Sequence, residues 1–419
     1  MKAARFGIVA LLVALVGAPP LVTAQAGKTA EKGLDWNQFR GPNRDAHSAD
    51  TGLLQEWPKE GPPLAWKISG LGVGFSSVSV SGTHAFTMGE VDKKATLFAL
   101  NVADGKVLWK LPFGAAVTDG QGGPGPRSTP ATDGTLVFGL GGGGEIVCAR
   151  VADGKVVWQK SMKEFGAGDG AWHFSESPML DGNSLVISPG GTVTALAKAT
   201  GAPMWKSKKI KWDNNTYTSI GIAEIGKVRQ YLVMSMNSVA GIMPTTGAVL
   251  WEGEFPGKTA VAATPVYGNG IVFAAAGYGV GCKAYNVAIA GAAVQFKEAY
   301  TGTQLQIHHG GMVVVGEYVY GCHDGGAVKC IELKTGKEMW ADRCVGKGSI
   351  AYADGHLLCR GEGGGVAWVD AKPDAFKETG RFTPPSTNGN KCWSHPSISG
   401  GKLYLREQDA LYCYDLKAK

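Results

Sequence analysis

The sequence predicts an all-β fold, an eight-bladed β-propeller built from four-stranded blades. Three observations lead to this fold class: glycine is frequent, a short phrase ending in tryptophan recurs, and the segments between its copies have strand patterns. The chain has 419 residues with 63 glycines and 20 prolines, about a fifth of the total, whereas average usage is roughly 12%. Because 44% of the residues are apolar, the chain can bury a core, so the glycine excess indicates many turns and not disorder.

The recurring phrase is a glycine turn followed by an apolar strand that ends in tryptophan. In the first copy, Asp104 and Gly105 form the turn and Trp109 ends the strand. Clear copies end at Trp109, Trp158, Trp205, Trp251 and Trp340, and we assign a degenerate copy that ends at Phe296. The copies are 44 to 49 residues apart. A period of about 45 residues with strands and no helices is typical of a propeller blade.

Each unit is predicted to contain four strands, named A to D from the channel to the rim. The repeated turn joins strands C and D, and an upstream hairpin such as 128–138 supplies strands A and B. Inner strands are expected to begin near Phe75, Arg127, Ser175, Thr218, Ala262, His309, Gly348 and Trp393, which gives eight units. The last unit ends at 411–416 without a strand D, whereas 63–68 is a D-type strand with no unit before it. We therefore expect the N-terminal strand to complete the last blade and close the ring.

The N-terminal segment has the pattern of a signal peptide. Lys2 and Arg5 precede an apolar run over 6–16, and Ala24 and Ala26 form a small-x-small cleavage pattern. We predict a signal peptide over 1–26, a leader segment over 27–61 and the propeller over 62–419. The alternative, a membrane anchor, is disfavoured because the apolar run is short. The protein is expected to be exported to the periplasm or the extracellular space, as a monomer with no stable membrane insertion after cleavage.

Charge and cysteine patterns exclude two classes of function. The net charge of +6 is spread along the chain, so we expect no nucleic-acid partner, which would need a concentrated basic face. No Cys-x-x-Cys occurs, so a zinc site has no support from spacing. Five cysteines occupy strand positions that the blades share and are predicted to be small buried hydrophobes: Cys148, Cys322, Cys330, Cys359 and Cys413. Disulfide partners for Cys282, Cys344 and Cys392 stay open.

Candidate binding residues concentrate on one face of the predicted ring. Propeller topology places the D-to-A connections and the B-to-C turns on one face, and these D-to-A connections are long and diverse. We predict a ligand-binding pocket there, at the mouth of the channel, and assign no catalytic or metal-binding residue. Its predicted residues are Arg127, Trp172, His173, Glu176, Asn215, His308, His309, Lys347, Trp393 and His395. The alternative is that these side chains only satisfy one another and ordered water. His308 and His309 are adjacent on one predicted strand, so at most one of them is expected to face the channel.

The Thr-Gly-x-x-x-Trp units resemble the PQQ-like, or quinoprotein-type, propeller repeat. The segment Trp36-Asn37-Gln38-Phe39-Arg40-Gly41-Pro42-Asn43-Arg44 also resembles the leader of exported PQQ-binding-like propeller repeat proteins. The resemblance covers essentially the whole predicted mature chain. It implies the fold and not an activity, because quinoprotein dehydrogenases and non-enzymatic outer-membrane assembly lipoproteins share the repeat.

Two functions of different class follow from these observations. The first is a non-enzymatic exported scaffold that binds a protein, a glycan or a small ligand through the D-to-A face. The alternative is a dehydrogenase that uses PQQ and calcium to oxidise an alcohol or a sugar. For that enzyme, Trp172, Trp212 and Trp393 offer stacking surfaces, and Glu176, Asp213 and Asn215 form a weak calcium set. The vicinal cysteine pair of many such enzymes is missing. We therefore assign no cofactor, and PQQ and calcium stay the open alternative. A hydrolase lacks support because no Gly-x-Ser-x-Gly occurs.

Overall fold

The eight repeat units form eight four-stranded antiparallel sheets, each ordered from an inner strand to an outer strand. The computed structural model describes residues 35–119, 122–291, 293–385 and 391–417. Inner strands of successive sheets contact one another, and the sheets form the predicted eight-bladed propeller around a central channel. The predicted signal peptide lies outside the described residues. In the described ranges, no helix has the length and apolarity that a bilayer span requires.

The first four blades follow one another along the chain. Blade 1 comprises β2 (Ser79–Ser81), β3 (His84–Val91), β4 (Lys94–Asn101) and β5 (Val107–Ala115), and a short ribbon of β6 (Thr118–Asp119) and β7 (Gly123–Pro124) follows it. Blade 2 comprises β8 (Ala131–Thr132), β9 (Leu136–Leu140), β10 (Glu145–Arg150) and β11 (Val156–Ser161). Blade 3 comprises β12 (Met179–Asp181), β13 (Ser184–Ile187), β14 (Thr194–Ala197) and β15 (Pro203–Lys206), with 3-10 helices at Met162–Phe165 and Pro189–Gly191. Blade 4 comprises β16 (Gly221–Ile225), β17 (Val228–Met234), β18 (Ser238–Ile242) and β19 (Val249–Glu254).

The last four blades include the one that closes the ring. Blade 5 comprises β20 (Val266–Gly268), β21 (Ile271–Ala276), β22 (Gly281–Ala290) and β23 (Ala293–Gly302). Blade 6 comprises β24 (Met312–Val315), β25 (Tyr318–Cys322), β26 (Ala327–Glu332) and β27 (Glu338–Arg343). Blade 7 comprises β28 (Gly348–Ala353), β29 (His356–Gly361), β30 (Val366–Asp370) and β31 (Glu378–Phe382). Blade 8 comprises β32 (Ser397–Ser399), β33 (Lys402–Glu407), β34 (Ala410–Asp415) and the N-terminal β1 (Leu64–Ile68), as expected.

The repeated glycine and the repeated tryptophan are coupled between neighbouring blades. The Trp109 indole of blade 1 donates a 2.8 Å hydrogen bond to the Val151 carbonyl of blade 2 and covers the turn at Gly154. Gly154 has φ of +70°, and a Cβ there would lie 2.8 Å from the indole ring. The position therefore needs glycine for its backbone and for its space. Trp66 makes the same contacts with Val102 and Gly105 across the closing junction.

Blade 5 departs from the predicted repeat. Its outer hairpin has two ten-residue strands, and Tyr300, not Phe296, pairs at the register position that tryptophan holds elsewhere. The Tyr300 hydroxyl donates to the Leu333 carbonyl at 2.8 Å, and its ring covers Gly336 of blade 6. The assignment of Phe296 as the repeat residue is wrong, because the longer hairpin moves the contact four residues along the chain. Phe296 is 40% exposed.

The part of the leader that the structure describes crosses the channel. Near its start, Trp36 forms a β-bridge with Val80 of blade 1. Farther along, the His47 imidazole donates a 2.8 Å hydrogen bond to the Val314 carbonyl of blade 6. Between them, Arg44 donates to the carbonyls of Ser177 and Ile220, in blades 3 and 4. These contacts tie opposite sides of the ring together and fill the channel behind the D-to-A mouth.

The eight cysteines are free thiols in the structure. The five at shared strand positions are buried, which confirms the prediction that they act as small hydrophobes. Cys282 and Cys392 are also buried, and Cys344 is half-buried.

Candidate functional site

A cavity of about 320 Å³ occupies the mouth of the channel, where the D-to-A connections enter the inner strands. Every blade and the leader contribute to its wall. Seven of the ten predicted site residues line it: Arg127, Trp172, His308, His309, Lys347, Trp393 and His395. The structure therefore brings together side chains from blades 2, 3, 6, 7 and 8, which lie far apart in the sequence.

The leader supplies the floor of this cavity. Phe39 lies edge-on to the His395 ring, with 4.9 Å between the centroids, and the Arg44 guanidinium lies 5.8 Å from the Phe39 ring centroid. Because the leader fills the channel behind Phe39, the cavity is a pocket with one mouth and not a passage through the ring.

A cationic cluster forms one side of the cavity. Lys347 Nζ lies 2.9 Å from a carboxylate oxygen of Glu362, and Lys391 contacts the other oxygen. Burial raises the pKa of Glu362, but hydrogen bonds from these two lysines outweigh it and bring the pKa to about 2. Glu362 is therefore ionised at neutral pH and is a poor proton acceptor.

The cavity histidines are neutral at pH 7. Burial lowers the pKa of His308, and the nearby Lys347 adds to the effect, with Lys347 Nζ 3.1 Å from His308 Nδ1. Burial also lowers the pKa of His309 well below its ordinary value and that of His395 to about 3. His395 Nε2 lies 3.0 Å from the His309 carbonyl oxygen. A carbonyl can only accept a hydrogen bond, so Nε2 is the donor and carries the proton. Both ring nitrogens of His309 are buried with no hydrogen-bond partner among the described residues.

Aromatic rings form the remaining walls. Trp393 packs against Phe75 and His309, with ring centroids 4.9 and 5.7 Å apart. Trp172 lies edge-on to Tyr217 at 5.6 Å. The cavity thus pairs apolar ring faces with a cationic cluster, an arrangement suited to a ligand with both apolar and charged parts.

Three predicted residues lie outside the cavity. His173 and Glu176 line a second cavity of about 20 Å³, which is room for about one water molecule. Glu176 accepts hydrogen bonds from the Ser188 amide, at 2.9 Å, and from the Ser188 hydroxyl. Asn215 accepts a 3.1 Å hydrogen bond from the Tyr217 hydroxyl and so supports the wall from behind. Whether the ten residues bind a ligand stays a prediction.

The expectation for His308 and His309 is wrong. Both side chains line the cavity, and their ring centroids are 5.4 Å apart. The alternation rule for strands does not apply to them, because they lie in a bend and the inner strand begins only at Met312.

The sequence reasoning missed several wall residues. Tyr278 and Glu362 stand on B-to-C turns, which propeller topology places on the same face as the D-to-A connections. Their position on B-to-C turns could therefore have been used to predict both residues from the sequence. Phe39 carried no such signal, because its position depends on the path of the leader through the channel.

The side chains of the cavity wall do not provide the ligands that the calcium ion of a quinoprotein would need. Calcium takes six to eight oxygen ligands, whereas Glu362 is the only carboxylate among the described wall residues, and two lysines already bond it. Glu176 lies in the second cavity, and Trp212 lines that cavity too. Nitrogen and oxygen atoms of His308, His309 and Glu362 lie within 4.8 Å of one another, as metal ligands would. The adjacent ammonium groups oppose a cation there.

Comparisons with known proteins agree with the fold. A family model described as outer membrane protein assembly factor BamB matches residues 93–342, more than half of the chain. The structure of BamB from Moraxella catarrhalis aligns with a TM-score of 0.61 at 12% identity, over 84% of this chain and 99% of that one. Quinohemoprotein alcohol dehydrogenase from Comamonas testosteroni aligns with a TM-score of 0.62 at 10% identity, over 92% and 81% of the two chains. The structure of the computationally designed Ika8 protein aligns with a TM-score of 0.58 at 11% identity, over 84% of this chain and 99% of that one. No curated protein sequence matches.

Proposed function

This chain belongs to the family of PQQ-like propeller proteins whose model is described as outer membrane protein assembly factor BamB, and from that premise we propose a non-enzymatic binding function. Its ligand is a small organic anion, held in the cavity at the D-to-A mouth. The observation that carries the proposal is the charge of the cavity wall: among its described residues, two lysines, Lys347 and Lys391, share a single carboxylate, Glu362.

The size of the cavity favours a small ligand over a folded protein partner. A volume of about 320 Å³ lies at the lower end of the range of small-molecule sites, about 300 to 1,000 Å³. The leader closes the far side, so an extended chain cannot thread through the ring. Of the three ligand classes that the sequence left open, the cavity fits a small molecule or the terminal unit of a glycan.

The charge of the wall favours an anion. Glu362 balances one of the two lysine charges, which leaves one positive charge at this side of the wall. The Arg127 guanidinium lines the cavity 5.4 Å from the Phe75 ring centroid. Arg127 also donates to the carbonyls of Gly123 and Gly125. A carboxylate or phosphate in this cavity gains charge-assisted hydrogen bonds, which are about twice as strong as neutral ones.

The titratable groups of the wall argue against acid–base catalysis. A general base works best when its pKa lies near the working pH. The pKa of Glu362 is about 2 and that of His395 about 3, and the pKa of His309 lies well below its ordinary value. The dehydrogenase alternative also lacks a calcium site here. PQQ itself is an aromatic polycarboxylate and belongs to the proposed ligand class.

Export is part of the proposal. The signal-peptide pattern over 1–26 supports it, and the description of the family model names the outer membrane. Expression of the full chain in a Gram-negative host, followed by N-terminal sequencing of the periplasmic fraction, tests it. The expected N-terminus is Gly27; retention of Met1 in a cytoplasmic fraction overturns it.

The binding function is tested by titration of tryptophan fluorescence, since Trp172 and Trp393 line the cavity. Benzoate and benzylamine form a matched pair with opposite charge, and PQQ with and without Ca²⁺ is a third arm. We expect saturable binding of benzoate and PQQ, no binding of benzylamine, and no effect of Ca²⁺.

Two lysine variants locate the site. Lys347→Met is expected to weaken benzoate binding about tenfold, which corresponds to one charge-assisted hydrogen bond. Lys155→Met is the matched control, because Lys155 is exposed on a C-to-D turn, on the opposite face of the ring. Absence of any anion binding, or equal losses in the two variants, overturns the proposal.

A further inference from the structure

We propose that the ligand is an acidic sugar, a pyranose unit that carries a carboxylate, either free or at the end of a polysaccharide. This inference rests on the proposed function and names the class of anion. The apolar walls, the cations and the unpartnered polar atoms of the cavity each correspond to one part of such a molecule.

The His309 imidazole calls for a group that both donates and accepts. Its two ring nitrogens are buried without a partner among the described residues, although the ring lies in the cavity wall. A neutral imidazole has one N–H donor and one acceptor nitrogen. Leaving a buried donor or acceptor unpaired costs about 1–3 kcal/mol. Both nitrogens are shielded from the cavity in the present orientation of the ring, so a ligand pairs them, and gains affinity, when the ring turns toward the cavity. A hydroxyl group is the simplest group that can do both.

Serine side chains add hydroxyl donors around the same cavity. Ser77 Oγ accepts the His395 amide at 2.7 Å, Ser177 Oγ accepts the Thr129 amide at 2.9 Å, and Ser219 Oγ accepts the Ser177 amide at 2.9 Å. In these bonds each serine acts as an acceptor and keeps its own proton to donate. The three serines line the cavity just before the inner strands of blades 1, 3 and 4. They therefore offer donors to a ligand with several oxygen atoms.

The aromatic walls suit the flat, apolar face of a sugar ring. Trp393 is held by Phe75 on one side and by His309 on another. Trp393 lines the cavity beside polar groups, and an indole in such a place offers apolar surface to a ring that is apolar on its faces and polar on its edge. The hydroxyl-bearing edge of such a ring then lies next to His309.

The carboxylate position follows from the lysines. Lys347 and Lys391 both contact Glu362, whose carboxylate lies within 4.8 Å of the ligating atoms of His308 and His309. The cations and the unpartnered imidazole therefore lie side by side, close enough for one sugar unit to reach both. A ligand with an anionic group and an adjacent hydroxyl satisfies this pair, whereas a metal ion is repelled by the lysines.

The test compares three kinds of probe by calorimetric titration of the full chain. The first kind is the uronates galacturonate, glucuronate and mannuronate; the second is their neutral parents galactose, glucose and mannose; the third is benzoate, an anion without hydroxyls. We expect at least one uronate to bind about tenfold more tightly than its neutral parent and than benzoate. Digalacturonate then separates the sources: tighter binding than galacturonate indicates a polysaccharide end, and weaker binding indicates a free acid.

The outcomes separate this inference from the proposed function. If benzoate binds and no uronate binds more tightly, the sugar inference is wrong and the anion-binding function stands. If neutral sugars bind as tightly as uronates, the sugar inference is wrong, and the anion-binding function stands only if benzoate binds. If neither kind of anion binds, both are wrong.

Variants of His309 supply a second measurement. His309→Leu is expected to weaken uronate binding about tenfold more than benzoate binding, because benzoate has no hydroxyl groups whose contacts can be lost. His309→Gln keeps a donor and an acceptor and should restore most of the affinity. His84→Leu, next to an A-to-B turn on the opposite face, is the matched control, and circular dichroism confirms folding. Equal losses for uronate and benzoate in His309→Leu overturn the inference.

Discussion

The two ends of the channel both contain basic side chains but use them differently. At the filled end, Arg40 and Arg44 of the leader are buried, each with 2% exposure, and they donate to backbone carbonyls of several blades. At the mouth, Lys347 and Lys391 share one carboxylate in the wall of the cavity. A cation in the channel is therefore not by itself a sign of a binding site. What distinguishes the mouth is that the chain leaves cationic and polar groups there facing a space that a ligand can fill.

The largest expected effect belongs to the filled end. Arg44→Met removes the donors that bond the carbonyls of Ser177, Pro178 and Ile220, and leaves those carbonyls buried without partners. We expect a loss of about 3–5 kcal/mol in the free energy of unfolding, measured by denaturant titration. Arg343→Met, at an exposed position of β27, is the control and should change stability by less than about 0.5 kcal/mol. Similar small changes in both variants would show that the leader does not hold the blades together.

A second prediction concerns Glu176, which is buried between the second cavity and Arg44. Burial raises the pKa of Glu176 to about 7, although bonds from Ser188 and the charge of Arg44 act against it. Since the pKa in the unfolded chain is about 4.5, the folded state binds the extra proton, and stability falls as the pH rises from about 4.5 to about 7.

Glu176→Gln removes the charge and keeps an acceptor oxygen. At about pH 8, we expect the variant to be more stable than the parent by about 3 kcal/mol, whereas at about pH 4 the two should be equally stable. Denaturant titrations at the two pH values measure the difference. A constant difference between variant and parent at both values would show that Glu176 does not titrate in this range.

The third prediction compares the stability that a cation contributes at each of the two ends of the channel. Lys347→Met at the mouth removes a cation as Arg44→Met does, but the Lys347 side chain is 29% exposed and bonds another side chain instead of the backbone. We expect a loss of at most about 1 kcal/mol in stability, since partly exposed ion pairs contribute little. The same variant loses anion affinity. A stability loss as large as that of Arg44→Met would show that both ends serve the fold alone.

The smallest effect is expected for the pH dependence of binding. The pKa values of His308, His309 and His395 are all lowered, so these rings stay neutral near pH 7 and supply no charge to an anion. Benzoate affinity should therefore change by less than about twofold between about pH 6 and about pH 8. Calorimetric titrations at several pH values measure it. A tenfold gain on acidification would show that a protonated histidine binds the anion.

The fold could be predicted because its signals are local and repeated. A glycine turn, an alternating strand and a terminal tryptophan recur in most units, and the unmatched N-terminal strand corresponds to the missing last strand. The prediction was wrong at Phe296, where blade 5 keeps the turn but lengthens the hairpin, so that Tyr300 takes the tryptophan position. Register depends on which residue the next blade can accommodate, and a period counted along the chain does not contain that information.

The candidate site was predicted in part. Seven of the ten residues meet at one cavity, because the topology alone places the D-to-A connections around the channel mouth. Glu176 and Asn215 start from the same connections but turn toward Ser188 and Tyr217, and only the packing of neighbouring loops decides this. Glu362 and Lys391 were missed, although they set the charge of the cavity together with Lys347.

The number of blades and the face on which the long loops gather follow from patterns that repeat between residues close in the chain. The closure of the ring joins strands at opposite ends of the described chain, but it could be inferred because the unmatched N-terminal strand corresponds to the missing strand of the last unit. In contrast, the path of the leader is a result of tertiary packing: it fills one end of the channel, and the described residues surround a cavity at the other end. That path depends on carbonyl groups of blades 3, 4 and 6 that accept hydrogen bonds from Arg40 and Arg44 across more than a hundred residues of chain. Whether a buried cation finds such an acceptor or faces an open cavity is a property of three-dimensional packing, and no local pattern encodes it.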